Sequence, residues 1–351
     1  MMAALKTFTD RLLGRGSAAL TVPPMDGALK PNNRLEEAAA GIAAQEPLAL
    51  AVKDGQVLWA EGQQLRSEAG VVATAAGRIT ALAVSPAGAV ALAAEGHGIT
   101  LDGASVPALA QLACVTALAF EGEATLWIAI GSTQNPFSAW SRDFLEMRRS
   151  GQLLRYDLGT QQLSTLAERL AFPFGLLPTA QGVVVSESWQ RRLVCIDRNG
   201  KRSTVIDNLP GYPAGLSAAA GGGYWLAVFA PCNPLLELVL REPEYRHAMM
   251  AEVDPRYWIA PALRSGQSFL EPMQGGALKQ MGILKPWAPS LSYGLVLHLS
   301  PDFIPLQSLH SRAGGKRHGI TSVLEHGQQL WAASAGGHEV LRLRSSEGGG
   351  R

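Results

Sequence analysis

ITALAV at Ile79–Val84, VTALAF at Val115–Phe120, PLALAV at Pro47–Val52, PFGLLP at Pro173–Pro178, PAGLSA at Pro213–Ala218 and ITSVLE at Ile320–Glu325 are versions of one phrase, a short apolar strand. After a turn each is followed by a second strand, in most units rich in Trp and Ala: GQVLWAEG from Gly55, GAVALAAEG from Gly88, ATLWIAIG from Ala124, QGVVVSES from Gln181, GGYWLAVF from Gly222 and QQLWAASA from Gln328. A more alternating pair then follows in most units, such as Gln152–Asp157 with Gln162–Ala167, or Arg192–Asp197 with Arg202–Asp207. A four-stranded unit of this kind cannot bury both its faces alone. Repeated six times it spells an all-β fold, a six-bladed β-propeller, whereas a pair of β-sandwiches would not repeat one two-strand phrase so regularly. The sixth unit runs out at Arg344 after three strands, so its fourth is expected from the N-terminal side, at Ala18–Val22. Such closure removes an exposed sheet edge.

The spacing between successive phrases is stretched twice, and both excesses fall between a second and a third strand. They are 132–150 (STQNPFSAWSRDFLEMRRS) and 229–292, which contains the helix-like run LLELVLREPEYRHAMMAEV. The connection from second to third strand returns to the face where the innermost strand begins, so both insertions are expected to roof one mouth of the central channel. Loops over a rigid scaffold commonly carry binding sites, which makes that mouth the candidate functional face. The expected organisation is a helical segment over 1–17, the propeller over 18–344 with its lid insertions, and a disordered tail over 345–351.

Composition narrows the function classes. With 47% hydrophobic and 17% charged residues the chain can bury a large core, and its 30 Lys+Arg against 29 Asp+Glu leave a net charge of +1. That charge offers no counterion release on nucleic acid and no cationic surface for anionic lipid. Cys114, Cys195 and Cys232 are far apart, with no CxxC or Cys/His spacing to chelate zinc, and read as buried thiols. Lys6, Asp10, Arg11 and Arg15 interrupt any apolar run near the N-terminus, so neither a signal peptide nor an integral membrane segment is expected. The expected location is cytoplasmic. Leu5, Phe8, Leu12 and Leu13 share one helical face, read as a docked helix rather than a membrane-surface anchor.

Aligning the innermost strands puts Leu48, Thr80, Thr116, Phe174, Ala214 and Thr321 at one level near the mouth. Calcium needs several oxygen ligands, usually with a carboxylate among them, so this ring predicts no metal, no other cofactor, and a partly apolar site. The stretch LQSLHSRAGGKRHG at Leu306–Gly319 opens on the same face. There His318 is a candidate general base, and Arg312 and Arg317 are candidate anchors for a carboxylate or phosphate. A solvated basic loop with a capping histidine is the competing reading, preferred for His310 and Lys316. Glu187, in VVVSESWQ, is a second candidate catalytic group. Binding backbone or Arg191 or Arg192 is the structural alternative for it, as for Glu61 and Glu95. The insertions add Trp140, Arg142, Asp143, Glu242, Glu244, Tyr245, Arg246, Trp258 and Trp287, a set suited to stacking on a ring-bearing or acyl ligand or to packing the lid. Leu48, Thr80, Thr116, Trp140, Phe174, Trp287, Arg312, Arg317 and Thr321 are the expected ligand-binding residues.

GQLLRYDLGTQQLSTLAERLAFPFGL from Gly151, VIDNLPGYPAGLSAAAGGGYWLAV from Val205, NPLLELVLREPEYR from Asn233, YGLVLHLSPDFIPLQSLHS from Tyr293 and the N-terminal PPMDGALKPNNRLEEA together resemble the strictosidine synthase family. That family is related to gluconolactonases and paraoxonases, all six-bladed propellers. The most specific phrase is NLPGYP at Asn208–Pro213. The resemblance implies a Glu in blade one and Asn or Asp in later blades for metal-dependent members; Leu48, Phe174, Ala214 and Gly215 stand there instead. It implies a blade-six glutamate for the Pictet–Spengler condensation; Thr321 stands there. Neither mechanism therefore transfers. The function expected is binding of a medium-sized, partly apolar organic molecule at the mouth by a metal-independent enzyme, through ester or lactone hydrolysis or C–N condensation. The alternative is a non-catalytic small-molecule binder. A protein-docking platform is a third reading, with no protein partner identifiable.

Overall fold

A computed structural model describes residues 22–272, 279–280, 283–284 and 291–344. The repeat builds six four-stranded antiparallel sheets, one per blade. Their innermost strands are Leu50–Lys53, Ile79–Val84, Val115–Glu121, Pro173–Thr179, Gly211–Ala218 and Ile320–His326. Each pairs with the strand that follows, rich in Trp and Ala in most blades and in Val in blade four, because small and β-branched residues let one sheet lie close on the next. Between blades two and three, for instance, Ala91, Ala93 and Ile99 pack against Leu126, Ile128 and Tyr156, all almost wholly buried. Burial of each large side chain of this kind contributes roughly 1.5–3 kcal/mol.

Blade six closes as expected in kind but not in place. Its outermost strand is Ile42–Ala43, paired antiparallel with Val340 and Glu339. Val22 is not in a strand, and Ala18 to Thr21 lie outside the described residues, as do the expected helix over 1–17 and the tail over 345–351. Before reaching blade six, the N-terminal segment docks on blade five. Asn32 donates to the Ser308 carbonyl at 3.0 Å and accepts from the His310 N–H at 3.0 Å, while Ser308 Oγ donates to the Ala28 carbonyl at 2.8 Å. Those contacts explain why the closing strand comes later than the first extended stretch of sequence.

One irregularity recurs. The pairing of the first two strands skips Thr80 in blade two, Thr116 in blade three, Phe174 in blade four and Thr321 in blade six. A bulge of this kind re-aims the extra side chain, so these residues leave the ladder at the mouth end of each strand. Gly175, beside Phe174, lies so close to the Ala214 carbonyl of blade five that any Cβ would collide with it. Both insertions follow the second strand of their blade. That of blade three carries a short helix, Trp140–Leu145, and that of blade five carries Pro234–Arg241 and Pro243–Glu252. The Asn233 side chain caps the first blade-five helix by accepting from the Leu235 N–H at 2.8 Å, with proline at the start of the helix where no N–H is needed.

Candidate functional site

The bulged residues and the insertions meet at the mouth. A cavity of about 170 Å³ lies between Leu48, Phe174 and Thr321 of the ring and Phe137, Trp140 and Leu263 of the insertions, with Arg78 and Glu46 at its edge. A second cavity of about 400 Å³ shares Trp140, Leu263 and Glu46 with it and extends outward past Trp258, Ser265 and Leu291. Below them the channel narrows to about 90 Å³ among Thr80, Thr116 and their neighbours. Of the expected ligand-binding residues, Leu48, Trp140, Phe174 and Thr321 therefore line one cavity, while Thr80 and Thr116 line the channel beneath it.

An aromatic cluster forms the wall. Phe172 stacks on Trp189 at 4.5 Å, Trp140 on Trp189 at 6.0 Å, and Phe174 meets Phe137 and Phe229 edge-on at 6.0 and 5.7 Å. Asp143, 1% exposed, anchors it by accepting from Trp189 Nε1 at 2.9 Å and from Asn135 at 3.3 Å. The charged pair at the rim is Arg78–Glu46, 2.9 Å apart, with the Arg78 guanidinium 5.7 Å from the Phe137 ring centre. Arg78, Phe137, Phe172, Phe229 and Leu263 were not among the residues expected from sequence. The signal for Arg78 is positional, since it immediately precedes an innermost strand, as Gly319 does in blade six.

The threonine hydroxyls face structural work. Thr116 donates to the Pro173 carbonyl of the next blade, and Thr321 to that of Pro47 at 3.2 Å, so both tie neighbouring blades together.

The structure corrects the assignment of the basic loop. Arg317, 8% exposed, donates to Glu339 at 2.8 Å and to the backbone carbonyls of Leu35, Ala38 and Ala39. Its donors are thus directed to the N-terminal segment rather than to a ligand. Arg312 is exposed and lines neither mouth cavity. Glu187, 1% exposed, accepts from the Ala171 N–H at 2.8 Å through one oxygen and from Nε and Nη2 of Arg192 at 2.6–2.7 Å through the other, the contacts of the structural alternative, and it lines neither mouth cavity. Glu61 and Glu95 likewise accept from backbone, at Gln45 and Ser138. His310 is buried between Tyr293 and Ser308, and burial pushes it down to about 4. Trp287 lies outside the described residues.

His318 is buried and bonded at both nitrogens: Nε2 to the Arg312 carbonyl at 2.8 Å and Nδ1 to Ser292 Oγ at 2.8 Å. Burial holds its imidazole below the ordinary 6.5, against the opposing pull of the Arg312 carbonyl and Glu36. It does not line either mouth cavity itself. Ser292 connects it to one, because Ser265 Oγ, on the cavity wall, lies 2.6 Å from Ser292 Oγ. The turn after Ser265 is held by Glu271, whose carboxylate accepts from the N–H groups of Gly266, Gln267 and Ser268 at 2.5, 2.7 and 3.0 Å.

Glu36 makes the basic loop sensitive to acid. Burial opposes its ionisation, but donation from Ser311 Oγ and from the N–H groups of Arg317 and Lys316 outweighs it and holds the carboxyl below its usual 4.5. A carboxylate with a depressed folded value stabilises the fold above its unfolded value and loses that contribution as pH falls through the folded one. Thermal melts of the protein are therefore expected to drop below about pH 4.5, and more steeply than those of Glu36→Gln. Equal slopes would show that Glu36 is not the sensitive group.

No family model matches the chain. Among curated proteins, it is 28% identical over 218 residues to adipocyte plasma membrane-associated protein of Bos taurus, covering 59% of this chain and 47% of that one. To the Salmo salar protein of the same name it is 26% identical over 208 residues, covering 56% of this chain and 44% of the relative. To strictosidine synthase-like 6 of Arabidopsis thaliana it is 31% identical over 124 residues, about a third of each chain. The chain spans less than half the length of these relatives. Among solved structures, a gluconolactonase from Xanthomonas campestris superposes with a TM-score of 0.53 at 13% identity, covering 92% of this chain and 98% of that one. A putative gluconolactonase superposes at 0.50 and 11% identity, covering 88% and 90%. Likeness at that identity speaks for the fold alone. Among the described residues no helix is long and apolar enough to cross a membrane. The repeat, the six sheets and these comparisons together make the chain a six-bladed β-propeller, similar in fold to the gluconolactonases and in part of its sequence to strictosidine synthase-like 6 and adipocyte plasma membrane-associated protein.

Proposed function

We propose that the mouth cavity binds a medium-sized, partly apolar organic molecule carrying a carbonyl or anionic group, and that the protein hydrolyses an ester or lactone held there without a metal. The observation that carries this reading is the cavity itself: aromatic side chains from the ring and from the blade-three insertion, with Leu263 of the blade-five insertion, enclose it, and one guanidinium, Arg78, is among its lining groups. Apolar walls with a few polar groups are the usual form of a small-molecule site. The gluconolactonase names of the structural neighbours make a lactone or related ester the reaction class to test first. Leu48, Phe174 and Ala214 at the ring level support metal independence, since none offers an oxygen ligand from its side chain. Three free cysteines support a reducing, cytoplasmic setting.

The non-catalytic alternative has one observation in its favour. Glu187 is fully engaged with Arg192 and backbone, and His318 is bonded at both ring nitrogens.

Naphthalene-2-carboxylate is a suitable probe, because its ring matches the aromatic wall and its carboxylate the Arg78 edge. It is expected to quench the tryptophan fluorescence of the protein on binding beside Trp140. Arg78→Ala is expected to weaken it about tenfold, the loss of one partly exposed charge-assisted hydrogen bond of about 1.5 kcal/mol. Binding unaffected by Arg78→Ala would remove Arg78 from the site.

A further inference from the structure

We propose that Ser265, on the wall of the outer mouth cavity that adjoins the aromatic one through Trp140 and Leu263, is the nucleophile for a substrate held at the mouth, activated by a proton relay that runs inward through Ser292 to His318. The inference rests on the reading of the mouth cavity as an acyl-substrate site and supplies the reactive group that reading lacks.

Hydrogen-bond logic fixes the direction of the relay. The Arg312 carbonyl has no proton to give, so His318 Nε2, 2.8 Å away, must carry one and donate it. In the neutral ring Nδ1 is then a bare acceptor, and Ser292, 2.8 Å from it, must donate. Ser292 has spent its single proton, so across the 2.6 Å contact with Ser265 it can only accept. The Ser265 proton therefore points into the protein and its lone pairs are left toward the cavity. A serine whose proton is directed to an imidazole, with that imidazole oriented by an acceptor at its other nitrogen, is activated for attack, and here Ser292 carries that direction across from Ser265 to His318. Ser292 is fully buried and His318 is 3% exposed, so water does not compete for these bonds, while Ser265 is half-buried on the cavity wall.

The step balances within these groups. Ser265 Oγ bonds to the ester carbonyl carbon as its proton passes to Ser292 and the Ser292 proton passes to His318 Nδ1. The His318 proton then returns to Ser292, and Ser292 gives its own proton directly to the departing alkoxide as the carbon–oxygen bond of the ester breaks, leaving an acyl group on Ser265. Water bonded to Ser292 in place of the Ser265 hydroxyl then gives its proton through Ser292 to His318 Nδ1 and attacks the acyl carbon, and the proton returns through Ser292 to Ser265 Oγ as the acyl–oxygen bond breaks, releasing the free acid and restoring Ser265. His318 acts through Ser292 and is a positioning residue.

An alkyl fluorophosphonate, with peptide mass spectrometry of the product, tests this directly. The phosphonyl adduct is expected on the peptide containing Ser265, and Ser265→Ala should abolish it while binding naphthalene-2-carboxylate as the unaltered protein does. Ser292→Ala is expected to slow labelling on the order of 100-fold, the lower range for loss of a general base, and Ser292→Thr, which keeps a hydroxyl, to recover much of it. His318→Gln should slow labelling as well, and Ser292→Ala provides the same test if the histidine variant folds poorly. Carboxylate binding without any Ser265 adduct, or labelling at equal rates in Ser292→Ala, would overturn the relay and leave the cavity reading intact. Neither binding nor labelling would overturn both.

Discussion

Replacing Arg317 by alanine is expected to cost about 3–5 kcal/mol of stability, the usual loss when one partner of a buried ion pair is removed. The guanidinium joins Glu339 of blade six to the carbonyls of Leu35, Ala38 and Ala39, and Glu339 in turn accepts from the Gly41 N–H at 3.1 Å. Removing it strands a carboxylate that is only 18% exposed and several carbonyls at the point where the ring closes. A domain stable by about 5–15 kcal/mol would feel that severely. Chemical denaturation measures it, and the folded variant should bind naphthalene-2-carboxylate with unchanged affinity, because Arg317 lines neither mouth cavity. A variant as stable as the parent but deficient in ligand binding would restore the role first expected of Arg317.

Deleting the chain through Ala44 is expected to abolish cooperative unfolding. That cut removes the Ile42–Ala43 strand, exposing the Glu339–Arg344 strand as an open edge, and also removes the Asn32 and Glu36 contacts to blade five and to the basic loop. Deletion of residues 1–21 alone should leave the melting transition of the described ring in place. The comparison separates closure by Ile42–Ala43 from closure by Ala18–Val22. If the shorter deletion alone abolishes the transition, the closing element has been misidentified.

The propeller is legible because its phrase is set by packing: the two inner strands of each blade are largely apolar, and in blades two, three, four and six the same bulge falls at the same residue. The closing strand is not, since Ile42–Ala43 is two residues long in a stretch, GIAAQ, with no alternating pattern, and its pairing depends on contacts distant in sequence. The first strands align in sequence at one level of the fold, and Leu48, Phe174 and Thr321 of that level line one cavity with Trp140. Chemistry was harder. Arg317 and His318 are adjacent in the chain and both were expected to face a ligand, yet Arg317 turns to the N-terminal segment, and His318 reaches the cavity only through Ser292 and Ser265. Spacing carries no signal for such a relay, because its members come from the blade-five insertion and from the loop before blade six.

Co-crystallisation with naphthalene-2-carboxylate is the most direct test of the mouth as the functional site. The ring is expected in the cavity bounded by Trp140, Phe174 and Leu263, with the carboxylate within hydrogen-bond reach of Arg78. Occupancy instead of the apolar groove between blades one and two, beside Leu65, Val72 and Leu92, with the mouth left empty, would contradict it.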